Sequence, residues 1–553
     1  MQHDWAGPIP EETERVARAA FPKGSVAMQM RDLFGAFVSD RDLELAYLMR
    51  GRSVETPWRL ALVTVLQFME GLSDRQAADA VRGRIDWKYA LGLELTDAGF
   101  DYSVLSEFRD RLVAEEVDRG YEGLFLARLL DQARARGWLK ARGRQRTDST
   151  HVLAAIRTLN RLMLVAETVR AALNSLAVAA PEWLQGQVGP DWHDRYDQRV
   201  EEYRLPTAKT ERAALAATIG ADGRSVLQAV YAPEAPPWLR ALPAVQTLRA
   251  VWVQQYYAPD AAGVVRWREE GDWPPAAQLI QSPYDTQARY STKRDTHWTG
   301  YKVHLTETCD PDAPRLITHV ETTPATTADS TMLGRIHQEL AGKNLLPAEH
   351  LVDAGYTDAE HLVTSRQDYG VDVVGPVPIN QNWQARAGQG FDVSCFAIDW
   401  EARTATCPAG CTSVKWLPTR DRHGQDIINI EFRQADCRAC AHRPHCTHAV
   451  TEPRGITVRP QAAHEALQAA RQRQTTAAFK EQYAARAGIE GTISQGTRAF
   501  GFRRARYIGL AKTHLQHVLT AVAIDVTRMV AWADESPFAA TRSSRFAHLQ
   551  VAA

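Results

Sequence analysis

The sequence lacks a long uninterrupted apolar run, which excludes an ordinary membrane-spanning helix. No stretch approaches the ~20 consecutive apolar residues that such a helix needs, although 45% of the 553 residues are hydrophobic. Residues 1–5 also lack the basic and apolar regions of a signal peptide. At roughly 100–200 residues per domain, the length predicts about three domains. We therefore expect a cytoplasmic protein with more than one packed core.

An excess of charge of either sign is also missing. The chain has 65 Lys and Arg residues against 66 Asp and Glu residues, which gives a formal net charge of -1. This balance excludes a small histone-like protein that coats DNA through bulk positive charge. It leaves open a nucleic-acid partner, because phosphate binding needs only local basic stretches.

Two basic stretches are candidates for DNA contact, since Arg and Lys position a duplex through its phosphates. The first ends at Arg144 and Arg146, and the second comprises Arg498, Arg503, Arg504, Arg506 and Lys512. Phe500, Phe502 and Tyr507 lie within the second stretch. These rings either stack on an unpaired base at a DNA end or face the protein core.

Cysteine is scarce, with 7 residues, and a chain without an export signal is not expected to be a disulfide scaffold. Five of the seven form the series Cys407, Cys411, Cys437, Cys440 and Cys446. Two close pairs can bring four soft ligands to a tetrahedral zinc ion. The spacing therefore predicts a structural zinc site, with free thiols as the alternative. The choice of ligands stays open, because His442, His445 and His448 lie nearby.

The secondary-structure pattern divides the chain into regions. Up to about residue 130 it is almost entirely helical, and a capping box at Ser73–Gln76 follows an apolar helix over 60–69. This arrangement resembles a helix-turn-helix, with a plain helical bundle as the alternative. Helical spacing resumes at His151 and continues to about 279. Strands are then predicted over 301–307, 316–320, 350–356 and 371–376, with a helix over 330–340, and helices return over 461–532.

Three acidic residues occupy positions for which burial offers no explanation. Asp148 follows the first basic stretch, Asp353 ends a predicted strand, and Glu490 lies within a predicted helix. Carboxylates at the carboxyl ends of strands lie at the edge of a sheet where ligands bind. A convergent set can hold Mg²⁺ or Mn²⁺, which prefer oxygen ligands. Two such cations, about 3.5–4 Å apart, support an in-line phosphoryl displacement. Taken singly, each acid is by default a helix cap or a surface residue.

The surroundings of these acids resemble the DDE transposases of bacterial insertion sequences, in the subgroup with a Tyr–Arg–Glu signature. The catalytic matches are Thr147-Asp148-Ser149-Thr150-His151-Val152, Val352-Asp353-Ala354-Gly355-Tyr356 and Tyr483-x-x-Arg486-x-x-x-Glu490. Further similar segments are Gly71-Leu72-Ser73-Asp74-Arg75-Gln76-Ala77, Lys293-Arg294-Asp295-Thr296-His297-Trp298-Thr299-Gly300-Tyr301-Lys302, Gly488-Ile489-Glu490-Gly491-Thr492, Arg503-Arg504-Ala505-Arg506-Tyr507 and Leu510-Ala511-Lys512-Thr513-His514. The resemblance extends over nearly the whole chain, in the same order.

The resemblance implies an α/β fold in which helices flank an RNase H-like mixed sheet. Asp148 would lie on the first strand, Asp353 after the fourth, and Glu490 on a late helix. The implied domains are a helical DNA-binding domain (1–135) and a catalytic domain (136–540), followed by a flexible tail (541–553). The catalytic domain would contain a helical insertion (152–285) and a cysteine-rich zinc-binding insertion (392–455). Related transposases carry Cys-Pro-x-Gly and then Cys-x-x-Cys-x5-Cys, which favours Cys407, Cys437, Cys440 and Cys446 over Cys411 as ligands.

The implied activity is cleavage of the ends of an insertion sequence and transfer of the 3′ strand to target DNA. Asp148, Asp353 and Glu490 would hold two Mg²⁺ or Mn²⁺ ions. Arg486 would clamp a phosphate, and Tyr483 would steer or stack on the strand. The partners would be double-stranded DNA (the terminal inverted repeats, read by the N-terminal helices, and the target) and a second copy of the chain in a homodimer. The expected location is the bacterial cytoplasm, on the nucleoid.

One residue departs from the family pattern, and two other functions stay open. The broader signature has a Lys seven residues after the Glu, where this chain has Thr497 followed by Arg498. The departure bears on the role of that Lys and not on the three acids. The alternatives are a catalytically inactive, transposase-like DNA-binding regulator and a metal-dependent nuclease that cleaves without strand transfer.

Overall fold

The computed structural model describes residues 7–48, 56–114, 121–261, 263–387, 390–422 and 424–536. The predicted tail, 541–553, lies outside these residues. The helices of the first half are α1 (Glu11–Ala20), α2 (Val26–Phe34), α3 (Asp40–Leu48), α4 (Pro57–Glu70), α5 (Asp74–Gly83), α6 (Ile85–Leu91), α7 (Ser103–Leu112), α8 (Leu124–Ala135), α9 (Arg161–Ala179), α10 (Pro181–Gln185), α11 (Asp191–Tyr196), α12 (Lys209–Tyr231) and α13 (Pro243–Gln255). Those of the second half are α14 (Leu333–Gly342), α15 (Ala359–Tyr369), α16 (Trp383–Arg386), α17 (Gln434–Ala439), α18 (Arg443–Cys446), α19 (Gln461–Arg473), α20 (Ala477–Ala484), α21 (Gly488–Phe500) and α22 (Leu510–Ala533).

The strands form one large mixed sheet and two small antiparallel sheets. The large sheet contains β1 (Arg144–Leu153), β2 (Arg289–Lys293), β3 (Thr296–Thr308), β4 (Ile317–Pro324), β5 (Glu349–Val352) and β6 (Asp372–Val374). The small sheets contain β7 (Ala397–Asp399) with β8 (Thr404–Thr406), and β9 (Lys415–Arg420), β10 (Asp426–Glu431) and β11 (Gly455–Val458). The fold is therefore mixed α/β, as the sequence predicts.

The N-terminal region is helical, which confirms that part of the prediction. The apolar helix α4 is buried over most of its length and ends at Gly71, whose left-handed φ of 69° stops it. The predicted capping box is present: Gln76 N–H donates to Ser73 Oγ over 3.3 Å, and Ser73 N–H donates to Gln76 Oε1 over 2.9 Å. It starts α5 directly after the turn, as predicted.

The large sheet has the order β2–β3–β1–β5–β6, and β4 pairs with β3 beside β2. Strands β1, β3 and β4 are antiparallel neighbours, whereas β1, β5 and β6 are parallel. The four strands predicted between 301 and 376 are present as β3, β4, β5 and β6. In the parallel pair, Thr147 is opposite Val352. This register places the residues that follow, Asp148 and Asp353, side by side.

Strand β1 is longer than predicted. Helical spacing was expected from His151, but β1 continues to Leu153, and α9 begins only at Arg161. The strand continues because its end is paired: Leu153 N–H donates to Arg503 O over 2.8 Å, and Leu153 O accepts from Ala505 N–H over 2.8 Å. Asn160 is the N-cap of this helix, and its side chain accepts a hydrogen bond from Met163 N–H.

Helices α9 to α13 surround a hydrophobic cluster of their own, which includes Val165, Val169, Leu248 and Val251. Among the described residues, α9 alone is long and apolar enough to cross a membrane, by length and composition only. More than half of that stretch is buried, and α9 packs against α12 and α13. This burial is typical of a core helix.

The N-terminal helices and the large sheet share one continuous hydrophobic core. Helix α22 is central to it, because it packs against α2, α4 and α8 on one side and against β4 on the other. Its buried residues include Leu515, Leu519 and Val526, each 0% exposed. A small separate cluster fills the cysteine-rich segment, where Phe396, Ile430 and others pack together.

Candidate active site

Asp148 and Asp353 occupy equivalent places on two parallel neighbours, β1 and the end of β5. Asp148 is 8% exposed and accepts a hydrogen bond from Ser149 N–H over 2.7 Å. Asp353 follows the last residue of β5 and accepts from Gly355 N–H over 2.8 Å. Two adjacent strands therefore present carboxylates at one point of the sheet.

Arg486 joins these two acids to Glu490. Its Nη2 lies 2.5 Å from Asp148 Oδ2 and 4.0 Å from Asp353 Oδ2, and its Nη1 lies 3.0 Å from Glu490 Oε1. The three acids predicted from the sequence thus surround one guanidinium. Within the described ranges, no three His, Cys, Asp or Glu side chains are close enough to share a single metal ion. The guanidinium lies between the acids instead.

Glu490 lies in the first turn of α21, rather than in the middle of a helix as expected. The helix begins at Gly488 because a short 3-10 turn, Ala485–Ala487, separates it from α20. Arg486 lies in that turn and still faces Glu490 as an i, i+4 pair. The Glu490 side chain is 66% exposed, against 11% for Asp148. Tyr483 is the last residue but one of α20 and stacks on Phe479, with ring centroids 5.5 Å apart.

Burial and charge act in opposite directions on this cluster. Burial raises the pKa of Asp148, which Arg486 opposes and Asp353 reinforces. Burial also acts to lower the pKa of Arg486, but Asp148, Tyr483 and Asp353 outweigh it, and the pKa is raised. The guanidinium therefore stays charged, and the acids are compensated by a cation of the chain itself.

A second polar cluster, which the sequence analysis missed, lies beside the acids. Asp329 accepts hydrogen bonds from Ser149 Oγ over 3.2 Å and from Lys302 Nζ over 2.9 Å. A Cβ added at Gly355 would lie 3.0 Å from Asp353 Oδ1 and 3.4 Å from Asp329 Oδ2. Asp329 thus lies close to the turn that carries Asp353. Lys302 belongs to a family-like segment, but Asp329 begins a short 3-10 turn, Asp329–Thr331, that no sequence pattern marked.

The basic residues predicted to contact DNA are placed differently from one another. Arg498, Arg504 and Arg506 are exposed, although Arg506 also donates to the backbone oxygens of Gly71 and Leu72 over 2.9 and 2.8 Å. The other basic residues contact side chains of the protein itself. Arg503 Nε donates to Thr150 Oγ1 over 2.8 Å. Lys512 Nζ lies 2.5 Å from Asp110 Oδ1, and Arg144 Nε lies 3.0 Å from Glu349 Oε2.

One expectation about DNA contact needs correction, and for two of the rings the structure decides between the alternatives. Arg146 is 3% exposed and is paired with Glu307 on β3, so its charge is neutralised inside the protein. Phe502 is 0% exposed, and Tyr507 lies under the guanidinium of Arg109, 4.9 Å from the ring centroid. These rings follow the alternative expectation, in which they face the core.

Five cysteines line one small cavity of about 30 Å³. They are Cys407, Cys411, Cys437, Cys440 and Cys446. Arg454 N–H donates to Cys437 Sγ over 3.5 Å, and burial raises the pKa of Cys446, with Arg454 opposing. Both candidates for the first ligand, Cys407 and Cys411, face this cavity. The nearby histidines lie elsewhere: His448 stacks on Trp383 at 3.8 Å, and His442 packs against Phe391.

Comparison with known proteins finds two family models, which match opposite ends of the chain. A model described as Transposase DDE domain matches residues 406–530, which include Glu490 and Arg486. A model described as Transposase domain (DUF772) matches residues 15–111, which include α4 and α5. No curated protein and no solved structure matches the chain. Both models are transposase families, and their matches confirm the resemblance of the chain to the DDE transposases of insertion sequences.

Proposed function

We propose that this transposase cleaves insertion-sequence ends and transfers the 3′ strand to target DNA by metal-dependent phosphoryl transfer. The observation that carries the proposal is the convergence of Asp148, Asp353 and Glu490 on the Arg486 guanidinium. The three acids are between 137 and 342 positions apart in the sequence, and no requirement of packing explains why all three should border one guanidinium. Joint binding of a metal cation by the three carboxylates would explain it.

The strand order supports an RNase H-like catalytic core. A middle strand, β1, is antiparallel to β3 on one side and parallel to β5 on the other, and β4 and β6 extend the sheet outward. Asp148 lies within that middle strand, and Asp353 follows its parallel neighbour. We also propose the predicted division into a helical domain (1–135) and a catalytic domain (136–540) with insertions at 152–285 and 392–455. The helical and catalytic domains share one hydrophobic core.

The chemistry of the site fits Mg²⁺ or Mn²⁺, because its donors are carboxylate oxygens. Two such ions, when bound, would activate a water and stabilise the leaving oxygen. Asp148 and Asp353 would hold them from rigid strands, and Glu490 would close the site from α21. Arg486 would then be released from the acids to hold a DNA phosphate, for which its planar donors are suited. Tyr483, half-buried one turn before it, would orient the strand.

DNA would approach along the exposed arginines Arg498, Arg504 and Arg506. Arg506 also contacts the turn between α4 and α5, so this basic surface is continuous with the helices proposed to read the inverted repeats. Two ends must be held together, which favours a homodimer on double-stranded DNA. We propose that it acts in the cytoplasm, on the nucleoid.

We further propose that the cysteine cavity holds a structural zinc ion. Its thiols are the soft donors that zinc prefers, and a backbone N–H bonded to a cysteine sulfur is the support that a thiolate needs. Cys437, Cys440 and Cys446 would be joined by Cys407, with Cys411 as the competitor. The role is structural: it would fix the small sheets beside α17 and α18.

The test is a cleavage and joining assay. The purified protein is incubated with a labelled fragment of the DNA that flanks its gene, a plasmid target and Mg²⁺ or Mn²⁺. Joined products that disappear in Asp148→Asn, Asp353→Asn and Glu490→Gln, but remain in Glu481→Gln, support the proposal; Glu481 is an exposed acid on α20. Cleavage without joining would indicate a nuclease. Binding without any metal-dependent product would indicate a regulator.

A further inference from the structure

A fully buried carboxylate, Glu307 on β3, stands at the junction between β1 and α21. It is 0% exposed. Its Oε1 accepts from Arg146 Nε over 2.7 Å, and its Oε2 accepts from Thr492 Oγ1 over 2.6 Å and from Arg528 Nη1 over 2.9 Å. One carboxylate therefore contacts a strand and two helices.

The partners of Glu307 are immediate neighbours of the proposed catalytic residues. Arg146 lies two residues before Asp148 on β1, so both side chains are on one face of the sheet. Arg146 also donates to the backbone oxygen of Ala485, the residue before Arg486. Thr492 lies two residues after Glu490 on α21.

We propose that Glu307, Arg146, Thr492 and Arg528 form a buried clamp that positions α21 against β1. Glu307 is the positioning residue: it holds the helix that carries Glu490, and through Arg146 it holds the turn that carries Arg486, at a set distance from Asp148. This inference rests on the proposed function for its catalytic meaning, but the clamp itself is a separate structural claim.

Two observations argue that the clamp serves position rather than stability alone. Buried ion pairs are poor sources of stability, because the desolvation of both charges offsets their attraction, and apolar replacements are often as stable. A charge network with several directed hydrogen bonds nevertheless specifies one geometry. The chain also makes room for it: a Cβ at Gly488 would lie 2.0 Å from Arg146 Nη1.

Thr492→Val is the sharpest test, because it removes one hydroxyl and keeps the shape of the side chain. Glu307→Gln would leave the buried Arg146 and the partly buried Arg528 without their shared counter-ion and is expected to unfold the chain. Thr492→Ser retains the hydroxyl and is the rescue variant. Thr520→Val is the matched control, since Thr520 is equally buried and its hydroxyl bonds only Gln516 O of its own helix.

Three quantities are measured on the full chain: hydrogen exchange of the α21 amides, affinity for Mn²⁺ alone, and the DNA cleavage rate at saturating Mn²⁺. In Thr492→Val we expect about tenfold faster exchange in α21 and about tenfold weaker Mn²⁺ binding, because a hydrogen bond to a charged acceptor is lost. Cleavage should fall while affinity for DNA is retained. Thr492→Ser should restore all three, and Thr520→Val should change none.

Unchanged α21 exchange in Thr492→Val would overturn the clamp. So would faster exchange that leaves Mn²⁺ affinity and cleavage at the wild-type values. If the wild-type chain neither binds Mn²⁺ nor cleaves DNA, the proposed function fails, and the exchange measurement alone still decides whether Glu307 anchors α21. The two failures are therefore distinguishable.

Discussion

Arg486 Nη2 lies 2.5 Å from Asp148 Oδ2, in a contact that leaves the two side chains 14% and 11% exposed. The same guanidinium contacts Glu490 through its other nitrogen. The chain thus supplies a cation of its own to the acids that are proposed to bind metal. In the proposed function, metal binding would displace this guanidinium and free it to hold a phosphate.

Arg486→Ala should separate these two roles. Without the guanidinium, three acids are left with less compensating charge, and we expect Mn²⁺ to bind about tenfold more tightly in the absence of DNA. Cleavage should nevertheless fall on the order of 100-fold, because a positioned donor to the phosphate is lost. Calorimetric titration with Mn²⁺ and a cleavage assay measure the two effects. Mn²⁺ affinity equal to that of the wild type would contradict the idea that Arg486 and Mn²⁺ compete for the three acids.

Gly488→Ala should destabilise the protein, although Ala usually stabilises a helix relative to Gly. Gly488 has an ordinary helical φ of -63°, so its backbone does not require glycine. The added methyl would instead meet Arg146 at 2.0 Å, and the expected loss is about 1–3 kcal/mol. The matched control is Gly491→Ala, where no atom lies within 4 Å of the added methyl, and a gain of up to about 1 kcal/mol is expected. Denaturant unfolding of both variants checks the sign; a stabilised Gly488→Ala would refute the steric argument.

Stability should fall as the pH is lowered from neutrality. Burial lowers the pKa of His337 to about 4, and burial with help from His514 lowers the pKa of His517 to about 3. In the unfolded chain both titrate near about 6.5. Their contribution is therefore fully present above about pH 6.5, and it is lost progressively toward about pH 4, because only the unfolded chain takes up protons there.

The loss amounts to as much as about 1.4 kcal/mol per pH unit for each histidine. Unfolding midpoints in guanidinium chloride, measured from about pH 7.5 down to about pH 5, test this dependence of stability on pH. His517→Gln keeps a partner for Thr322, which bonds His517 Nδ1 over 2.8 Å, and it should make the slope shallower. If stability falls with pH as steeply in His517→Gln as in the wild type, His517 does not contribute to the loss of stability at low pH.

Zinc removal should loosen the cysteine-rich segment and little else. Elemental analysis is expected to find one zinc per chain, and a strong chelator should expose the region between β7 and β11 to proteolysis, since structural zinc contributes directly to folding. Cys440→Ser should have the same effect. Cys395→Ser is the control, because Cys395 is exposed and does not line the cavity.

The comparison of Cys407→Ser with Cys411→Ser identifies the fourth ligand. The variant that lowers the zinc content marks the ligand, and the other should retain zinc. A wild-type chain that is purified without zinc, and whose segment resists proteolysis in chelator, would show that the thiols are free.

Strands β3 to β6 and the edge position of Asp353 follow from local pattern, because alternating residues predict strands and a carboxylate at the end of a short apolar run predicts an edge position. The strand that carries Asp148 and the convergence of Glu490 on the same point rested on resemblance. Nothing local tells which strand a distant helix contacts. The start of α21 two residues before Glu490 was missed for the related reason that its 3-10 turn has helical composition.

Arg146 shows most clearly what the sequence cannot reveal. In the chain it belongs to a run of basic residues, which favours a DNA-facing surface. Its neutralising partner, Glu307, is 161 positions away, and only the antiparallel register of β1 and β3 brings them together. The inward or outward direction of a charged side chain on a strand is set by such pairing, which composition does not encode.

The sharing of one core through α22 has a consequence for how the protein works. The helices proposed to recognise the element end share this core with the sheet and are not attached by a tether, so separating them would expose apolar surface on both pieces. If these helices bind the repeat as proposed, the folded protein would hold it at a set distance from Asp148 and Asp353. The spacing between the repeat and the cleavage site on the DNA would then be determined by the fold of the protein.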